Sequence, residues 1–284
     1  MSDQPIPRAF VMGHPIAHSR SPMLHGYWLD QLGIAGAYDR CDVPPENLGT
    51  FFAGLRDNGY VGGNITVPHK TAAMAHVAWV DDAAKAIGAI NTIWSENGRF
   101  VGGNTDAIGF LGNLDDRAPG WGASGHVAVV LGAGGAARAA AYALLQRGFE
   151  VRLVNRTPDH ARELARHFGE NVIAHSWNEL GAVLPRADVF INTTCLGMLG
   201  KPPLEIDLAG LKQSAVVHDV VYVPLETGLL KAAKARGHRI VDGVGMLLHQ
   251  AVAGFEHWFG VRPTVTEELR HLIEADIRAT TPGA

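Results

Sequence analysis

The chain has 284 residues, of which 47% are hydrophobic, and its 24 basic against 28 acidic residues give a net charge of −4. This composition is typical of a globular protein of about two domains and excludes the disordered and fibrous classes. The basic residues form no concentrated stripe, so we expect no nucleic-acid partner.

The N-terminal stretch has no basic segment followed by a long apolar run, and the chain never reaches the roughly 18 uninterrupted apolar residues of a membrane helix. We therefore predict a cytoplasmic protein without a membrane partner. Cys41 and Cys195 belong to no CxxC pair, and the 14 histidines form no HExxH motif. We predict neither a disulfide framework nor a metal site.

Strand-like and helix-like segments alternate from residue 8 to residue 104. The helix-like segments lie around residues 22–32, 45–57 and 70–87, and the strand-like runs are AFVMG, AYDRCDV, GGNITV, AINTIW and RFVGGN. This alternation predicts an α/β layer. Pro, Gly and Asp then cluster at residues 113–125, NLDDRAPGWGASG, which we interpret as a boundary region.

Residues 126–157 form a different pattern, in which an apolar strand, a glycine turn, an alanine-rich helix and a second apolar strand follow one another. This is a βαβ unit. Later strand-like runs, ADVFINTT, AVVHDVVY and HRIVDG, predict a parallel sheet with helices on both faces. We predict a Rossmann-type doubly wound domain over residues 113–244. An N-terminal α/β substrate domain is predicted over residues 1–112, rejoined by helices of residues 245–284.

The glycine turn has the spacing of a dinucleotide site. Gly132, Gly134 and Ala137 form a GxGxxA pattern between a strand and a helix, where backbone N–H groups can approach a pyrophosphate. The second strand ends in NRT, residues 155–157, where an NAD enzyme has an acid on the ribose 2′-hydroxyl. Arg156 facing a 2′-phosphate favours NADP(H).

Other polar segments follow apolar strands and suit a small polyhydroxylated ligand held by neutral hydrogen bonds. They are PIAHSRSP, NITVPHK, GAINTI, GGNTDAIGF, DVVYVP and DGVGMLLHQA. If HSRSP is extended, Ser19 and Ser21 face one side and Arg20 the other, so a substrate carboxylate meets hydroxyls rather than a guanidinium.

These segments occur in the order found in shikimate dehydrogenases, and the chain resembles that family nearly end to end. The shared patterns are PIxHSxSP, NxTxPxK, GAxNT, GxNTDxxG, GAGGAxxA, NRT, INTTxxGM and DGxGMLxxQ. The resemblance implies NADP(H)-dependent interconversion of 3-dehydroshikimate and shikimate, with the active site in the cleft between the two domains.

The resemblance also implies roles for individual residues. Lys70 becomes the catalytic acid–base group, assisted by Asp106, and lysine suits this role because it can exchange a proton whereas arginine effectively cannot. The residues implied to contact the substrate are Ser19, Ser21, Thr66, Lys70, Asn91, Asp106, Tyr222 and Gln250. Those implied on the cofactor side are Gly132, Ala133, Gly134, Gly135, Ala136, Asn155, Arg156, Thr157, Val220, Gly243 and the acidic position Asp82.

Two positions depart from the family pattern. His160 stands where a second basic residue often follows NRT, which predicts a weaker and pH-dependent preference for NADP. Cys195 fills a variable position and is expected only to pack there.

Two alternatives stay open. One is a quinate/shikimate dehydrogenase of broader substrate or cofactor range. The other is a non-catalytic NADP-binding regulator, which would not need both Lys70 and Asp106. The sequence is compatible with a homodimer and does not establish one.

Overall fold

The computed structural model describes residues 6–123 and 125–281 of the chain. The chain divides into two compact units. The first contains the residues up to Thr105 and a return segment, Gln250–Ile273, and the second contains Asp106–His249 and the residues from Glu274 onward. Of the helices in the described ranges, none is long and apolar enough to cross a membrane.

A mixed sheet forms the centre of the first unit. Its strands are β1 (Arg8–Gly13), β2 (Ala37–Asp42), β3 (Tyr60–Ile65), β4 (Thr92–Glu96) and β5 (Arg99–Gly103). They lie in the order β2-β1-β3-β4-β5, with β1 parallel to β2 and β3 and the remaining pairs antiparallel. The parallel connections carry helices α1 (Ser21–Leu32) and α2 (Leu48–Gly54), as parallel pairing requires.

The predicted helix over residues 70–87 is wrong in its middle part. A 3₁₀ turn covers Ala72–His76 and helix α3 covers only Asp82–Ile87. The chain between them runs along β5, where Val80 pairs with Gly102 in a parallel bridge. Asp81 then begins α3 by accepting a hydrogen bond from the Ala84 N–H at 2.6 Å. Pairing with a distant strand therefore outweighs the local helical pattern.

The second unit is built on a parallel sheet. Its strands are β6 (Val127–Leu131), β7 (Glu150–Asn155), β8 (Val172–Ser176), β9 (Val189–Asn192), β10 (Val216–Asp219) and β11 (Arg239–Val241). Their spatial order is β8-β7-β6-β9-β10-β11, and neighbouring strands are parallel. This is the doubly wound order that the sequence predicts. Ligands bind such sheets beyond the carboxyl ends of the strands, where the order reverses, which here is between β6 and β9.

Helix α4 (Asp106–Arg117) precedes this second sheet in the chain. Four further helices follow its strands β6, β7, β8 and β10, and they are α5 (Gly135–Gln146), α6 (Pro158–Phe168), α7 (Leu180–Val183) and α8 (Gly228–Ala235). The first residues of the predicted boundary region, 113–117, thus belong to the last turns of α4 rather than to a connecting segment. Asn113 is buried there, and its side-chain amide donates a hydrogen bond to the carbonyl of Asp242 at 2.5 Å. This polar residue therefore belongs to the packed interior rather than to an exposed loop.

Two further helices, α9 (Val244–Phe259) and α10 (Glu267–Thr280), complete the described chain. The last turns of α9 cover an aromatic cluster of the first unit. The ring of His25 stacks on Tyr38 with centroids 4.1 Å apart, and Phe255 and Trp258 of α9 lie 6.0 and 5.3 Å from it. Burial lowers the pKa of His25 to about 3, so this ring is neutral at physiological pH.

A glycine in β3 allows α9 to pack on the first sheet. The Trp258 indole N–H donates a hydrogen bond to the carbonyl of Ile93 at 2.8 Å, and the indole ring lies against Gly62. A Cβ on Gly62 would overlap both the indole nitrogen and that carbonyl oxygen. The close approach therefore requires glycine at this position.

Replacing Gly62 by alanine should lower the free energy of unfolding by about 1–3 kcal/mol, the usual cost of inserting a carbon into a closely packed site. The matched control is Gly26→Ala inside α1, where nothing lies within 4 Å of the added Cβ. Urea unfolding of both variants measures the difference. Equal midpoints for the two variants would contradict the packing argument.

Candidate active site

Lys70 lies on the loop that leaves the carboxyl end of β3. Its carbonyl accepts a hydrogen bond from the Ile90 N–H at 2.9 Å. The neighbouring His69 is buried and bonds through Nε2 to the carbonyl of Val43 at 2.7 Å, so this nitrogen bears the proton. The backbone around Lys70 is thus fixed on both sides, while the lysine side chain is half-buried.

Asn91 brings predicted substrate residues of the first unit together. Its Nδ2 donates to Thr105 Oγ1 at 3.0 Å and to Gln250 Oε1 at 3.2 Å. Its Oδ1 accepts from the Thr105 N–H at 2.8 Å and from Thr92 Oγ1 at 3.0 Å. Asn91 is buried, so these bonds determine the orientation of its amide. The predicted residues Asn91 and Gln250 are therefore neighbours.

Ser19 and Ser21 lie at the start of α1, and Ser21 is its first residue. The backbone of Arg20 between them is helical, so HSRSP is not extended and the argument from alternating side chains does not hold. The Ser21 N–H instead points to Ser19 Oγ at 3.4 Å. Both hydroxyls thus lie where a helix start favours an anion.

The other predicted substrate residues are distributed over both units. Thr66 follows β3 directly and is half-buried. Asp106 is the first residue of α4, and Tyr222 lies in the loop after β10. Asp82, predicted on the cofactor side, lies in the first turn of α3 with its side chain 94% exposed, and it accepts a hydrogen bond from Lys85 at 3.0 Å.

The turn between β6 and α5 contains the predicted pyrophosphate-binding residues, 132–136. Gly132 has φ +111°, and a Cβ there would lie 2.8 Å from Thr193 Oγ1, so this position requires glycine. Nothing lies within 4 Å of where a Cβ would stand on Gly134 or Gly135, and the start of α5 has no side-chain cap. The Gly132 N–H donates to the carbonyl of Val154 at 2.9 Å, and the backbone at Gly134 and Gly135 leaves space for a ligand, which fits a pyrophosphate.

Beside this turn, the ends of β7, β8 and β9 enclose a cavity of about 560 Å³. Its lining comprises Asn155, Arg156, Pro158, Ser176, Trp177, Asn178, Thr194, Cys195 and Leu196. Asn155 and Arg156 are the residues predicted to face the adenosine phosphate, and the Asn155 amide donates to the carbonyl of Thr157 at 2.9 Å. His160 is exposed on α6.

One wall of this cavity was not predicted from the sequence. It consists of Ser176, the last residue of β8, and of Trp177 and Asn178, which follow that strand. The strand β8 was not predicted either. The available signal was the S-x-x-E spacing of Ser176 and Glu179, which marks a helix start. The Ser176 N–H and hydroxyl both donate to Glu179 Oε2, at 2.7 and 2.6 Å.

Val220 and Gly243, predicted near the nicotinamide, lie against each other in the second unit. A Cβ on Gly243 would overlap the carbonyl oxygen of Val220. Glycine here lets the segment that precedes α9 approach the loop after β10. In the described parts of the chain, 6–123 and 125–281, no group of three or more His, Cys, Asp or Glu side chains could hold a metal ion.

Asp219 is a buried carboxylate at the end of β10. It accepts hydrogen bonds from Asn192 Nδ2 at 2.9 Å, from the Val221 N–H at 3.1 Å and from Thr227 Oγ1 at 2.6 Å. Burial raises the pKa of Asp219 to about 6, because desolvation outweighs these three bonds, which favour the charged form. The Asp219 carboxylate therefore connects the end of β9, through Asn192, to the loop after β10, through Val221 and Thr227.

A doubly wound parallel sheet with an open glycine turn and an arginine-lined cavity defines a class, the nucleotide-dependent dehydrogenases. Family models match the chain as a shikimate dehydrogenase substrate binding domain over residues 11–93, a shikimate/quinate 5-dehydrogenase over 120–197, and a shikimate 5′-dehydrogenase C-terminal domain over 243–266. The shikimate dehydrogenase (NADP(+)) of Azorhizobium caulinodans is 58% identical over 273 residues, which cover 96% of this chain and 97% of the relative. The chain belongs to the shikimate dehydrogenase family.

Solved structures agree with this placement. Shikimate 5-dehydrogenase from Thermus thermophilus, in complex with NADP(H) and shikimate, is 37% identical with a TM-score of 0.84, covering 96% of this chain and 99% of that one. Quinate dehydrogenase from Corynebacterium glutamicum, in complex with NAD, is 31% identical with a TM-score of 0.87, covering 95% and 99%. The predictions of family, fold class and NADP as cofactor are confirmed. The roles of single residues and the domain bounds stay predictions.

The raised pKa of Asp219 has a consequence for stability. Asp219→Asn keeps the shape of the side chain and removes its charge, so wild type should lose stability relative to this variant as pH rises from about 4 to 6. The sign follows because the folded state binds this proton more tightly than the unfolded state, whose Asp pKa is about 3.9. The loss should not exceed about 3 kcal/mol, at about 1.4 kcal/mol per pKa unit.

Urea unfolding of both proteins between pH 4 and 7, without cofactor, measures this difference. Parallel stability curves across that range would contradict a raised pKa at Asp219.

Proposed function

We propose that the chain is an NADP(H)-dependent shikimate dehydrogenase, which interconverts 3-dehydroshikimate and shikimate in the cytoplasm. The observation that carries this proposal is the Arg156 cavity beside the open glycine turn, in a chain of this family. A guanidinium suits the 2′-phosphate, because charge-assisted hydrogen bonds to phosphate are about twice as strong as neutral ones.

NADPH held by the Gly132–Ala136 turn and Arg156 would supply the hydride for the C3 carbonyl carbon of the substrate. The carbonyl oxygen then needs a proton, and the Lys70 ammonium donates it. In the oxidative direction the neutral amine of Lys70 accepts the hydroxyl proton. Arginine at this position would bind the oxygen but would not exchange the proton. Asp106 orients the substrate hydroxyl.

The first unit is proposed to hold the substrate. The family model for a substrate-binding domain, which covers residues 11–93, supports this role. Ser19 and Ser21 at the start of α1 bind the substrate carboxylate, where the helix dipole adds to their hydroxyls. Thr66, Asn91 and Gln250, with Tyr222 of the second unit, bind the ring and its hydroxyls.

The second unit is proposed to hold the cofactor. The Gly132–Ala136 turn binds the pyrophosphate, and Asn155, Arg156 and Thr157 bind the 2′-phosphate. Val220 and Gly243 lie at the nicotinamide end. Asp82, which belongs to the first unit, stays a proposed residue on the cofactor side. The domains proposed from the sequence are residues 1–112 with 245–284 and residues 113–244, whereas the two compact units divide after Thr105, after His249 and after Ile273. A homodimer stays compatible with this assignment.

A quinate/shikimate dehydrogenase of broader range is the second candidate. It is favoured by the similarity to the Corynebacterium glutamicum quinate dehydrogenase, whose structure contains NAD. Initial rates with shikimate and with quinate, each with NADP and with NAD at one alkaline pH, separate the candidates. A high kcat/KM confined to shikimate with NADP supports the proposal. Comparable turnover of quinate, or use of NAD, moves the chain to the second candidate. Tight NADPH binding without any turnover indicates a regulator.

Lys70→Arg should lower kcat in both directions by about 10²–10⁴-fold, the usual contribution of a positioned acid or base, and leave NADPH affinity nearly unchanged. Lys231→Arg, at an exposed position of α8, is the matched control. Native turnover by Lys70→Arg would exclude Lys70 as the acid–base group.

Arg156→Gln should reduce the preference for NADP over NAD by about tenfold to a hundredfold, because a charge-assisted hydrogen bond is worth about 1.5–3 kcal/mol. Arg162→Gln is the control, since Arg162 is exposed on α6 and bonds Asp159. The kcat/KM ratio for the two cofactors measures the change. An unchanged ratio in Arg156→Gln would place the 2′-phosphate elsewhere.

A further inference from the structure

We propose that Trp177 binds the adenine ring of the cofactor as a stacking surface. The inference rests on the proposed NADP site and adds to it a residue that neither the family motifs nor the sequence analysis assign. It follows from where β8 ends, how the indole is held, and what else lines the cavity.

The position of Trp177 follows from the sheet order. β8 lies next to β7, and the carboxyl ends of parallel strands share one edge of the sheet. The chain that leaves β8 therefore comes to the same cavity as Arg156 after β7 and Thr194 after β9. Trp177 is the aromatic residue in that lining.

The indole is held in place on two sides. The backbone before it is fixed by the bonds of Ser176 to Glu179, which close a capping box around the 3₁₀ turn Trp177–Glu179. The indole itself packs against the apolar core of the second unit, which includes Leu180 and Val183. Trp177 remains only half-buried, so part of it faces the cavity. A side chain held in this way loses little conformational entropy when a ligand binds.

The chemistry of the cavity matches a purine with an attached phosphate. Among the described residues that line it, Arg156 carries a positive charge and none carries a carboxylate. Arg156 suits the 2′-phosphate, which leaves the indole and the apolar Leu196 for the uncharged part of the ligand. A volume of about 560 Å³ is within the range of small-ligand sites, about 300–1,000 Å³. Stacking on an aromatic side chain tolerates any base, because every base has a π face.

This chain has His160 where a second basic residue often follows NRT, so it has one ionic contact fewer for the phosphate. Stacking on Trp177 offsets the affinity lost with that contact. An ionic contact weakens as salt screens it, whereas a stacked contact is far less sensitive to salt. The two contributions can therefore be separated by ionic strength.

The test measures binding of 2′,5′-ADP by calorimetry at low and high salt. Trp177→Leu should weaken this binding about tenfold to a hundredfold at both salt concentrations, while Trp177→Phe should stay within about threefold of wild type. Arg156→Gln should lose more affinity at low salt than at high salt. The matched control is Trp79→Leu, since Trp79 is 48% exposed in the first unit.

A spectroscopic measurement gives a second readout that a structural role would not affect. 2′,5′-ADP should quench part of the tryptophan fluorescence of wild type and of Trp79→Phe, and this part should be absent in Trp177→Phe. If Trp177→Leu does not fold, the fluorescence of Trp177→Phe decides the question. The KM for shikimate should not change in the two Trp79 variants.

Unchanged affinity in a folded Trp177→Leu, or equal losses in the leucine and phenylalanine variants, would overturn the assignment of Trp177. In either case the proposed function would stand. Wild-type protein that fails to bind 2′,5′-ADP would overturn the proposed NADP site and this inference with it.

Discussion

The buried carboxylate of Asp219 is the constraint on which the cofactor half of the molecule depends. A parallel sheet fixes its strands but leaves the loops at their carboxyl ends without mutual hydrogen bonds. Asp219 joins two of these loops, because it accepts from Asn192 at the end of β9 and from Thr227 before α8. Burying such a charge is costly, and its three donors offset only part of that cost, because burial still raises the pKa of Asp219 to about 6.

Asn192 extends this constraint to the cavity. Its Nδ2 also donates to the carbonyl of Leu196 at 3.2 Å, and its Oδ1 accepts from the N–H and hydroxyl of Thr194 at 3.0 and 2.7 Å. Thr194 and Leu196 line the cavity. Asp219 thus holds Asn192, and Asn192 in turn holds Thr194 and Leu196, the part of the cavity wall that a nucleotide would contact. In the first unit a neutral amide, that of Asn91, has the equivalent role of joining several segments by hydrogen bonds.

The sequence predicted the features that depend on local spacing. The glycine turn at Gly132 and the NRT segment after β7 were identified because a strand, a turn and a helix follow one another in an uninterrupted stretch. Features that depend on distant partners were not predicted. The segment before α3 is extended because Val80 pairs with Gly102. β8 was missed because only one of its five residues is buried, which gives no clear alternation, and Trp177 was missed with it.

The cover that α9 places on the first sheet has a consequence for biosynthesis. The sheet is complete at Gly103, but the rings that close the aromatic cluster around His25 come from Phe255 and Trp258. About 155 residues separate Gly103 from Trp258, which at about 5–20 residues per second is on the order of 10–30 s of translation. During that interval the nascent chain exposes an aromatic surface, while the whole second sheet emerges and can fold. The first unit therefore stays incomplete until most of the second unit has been synthesised.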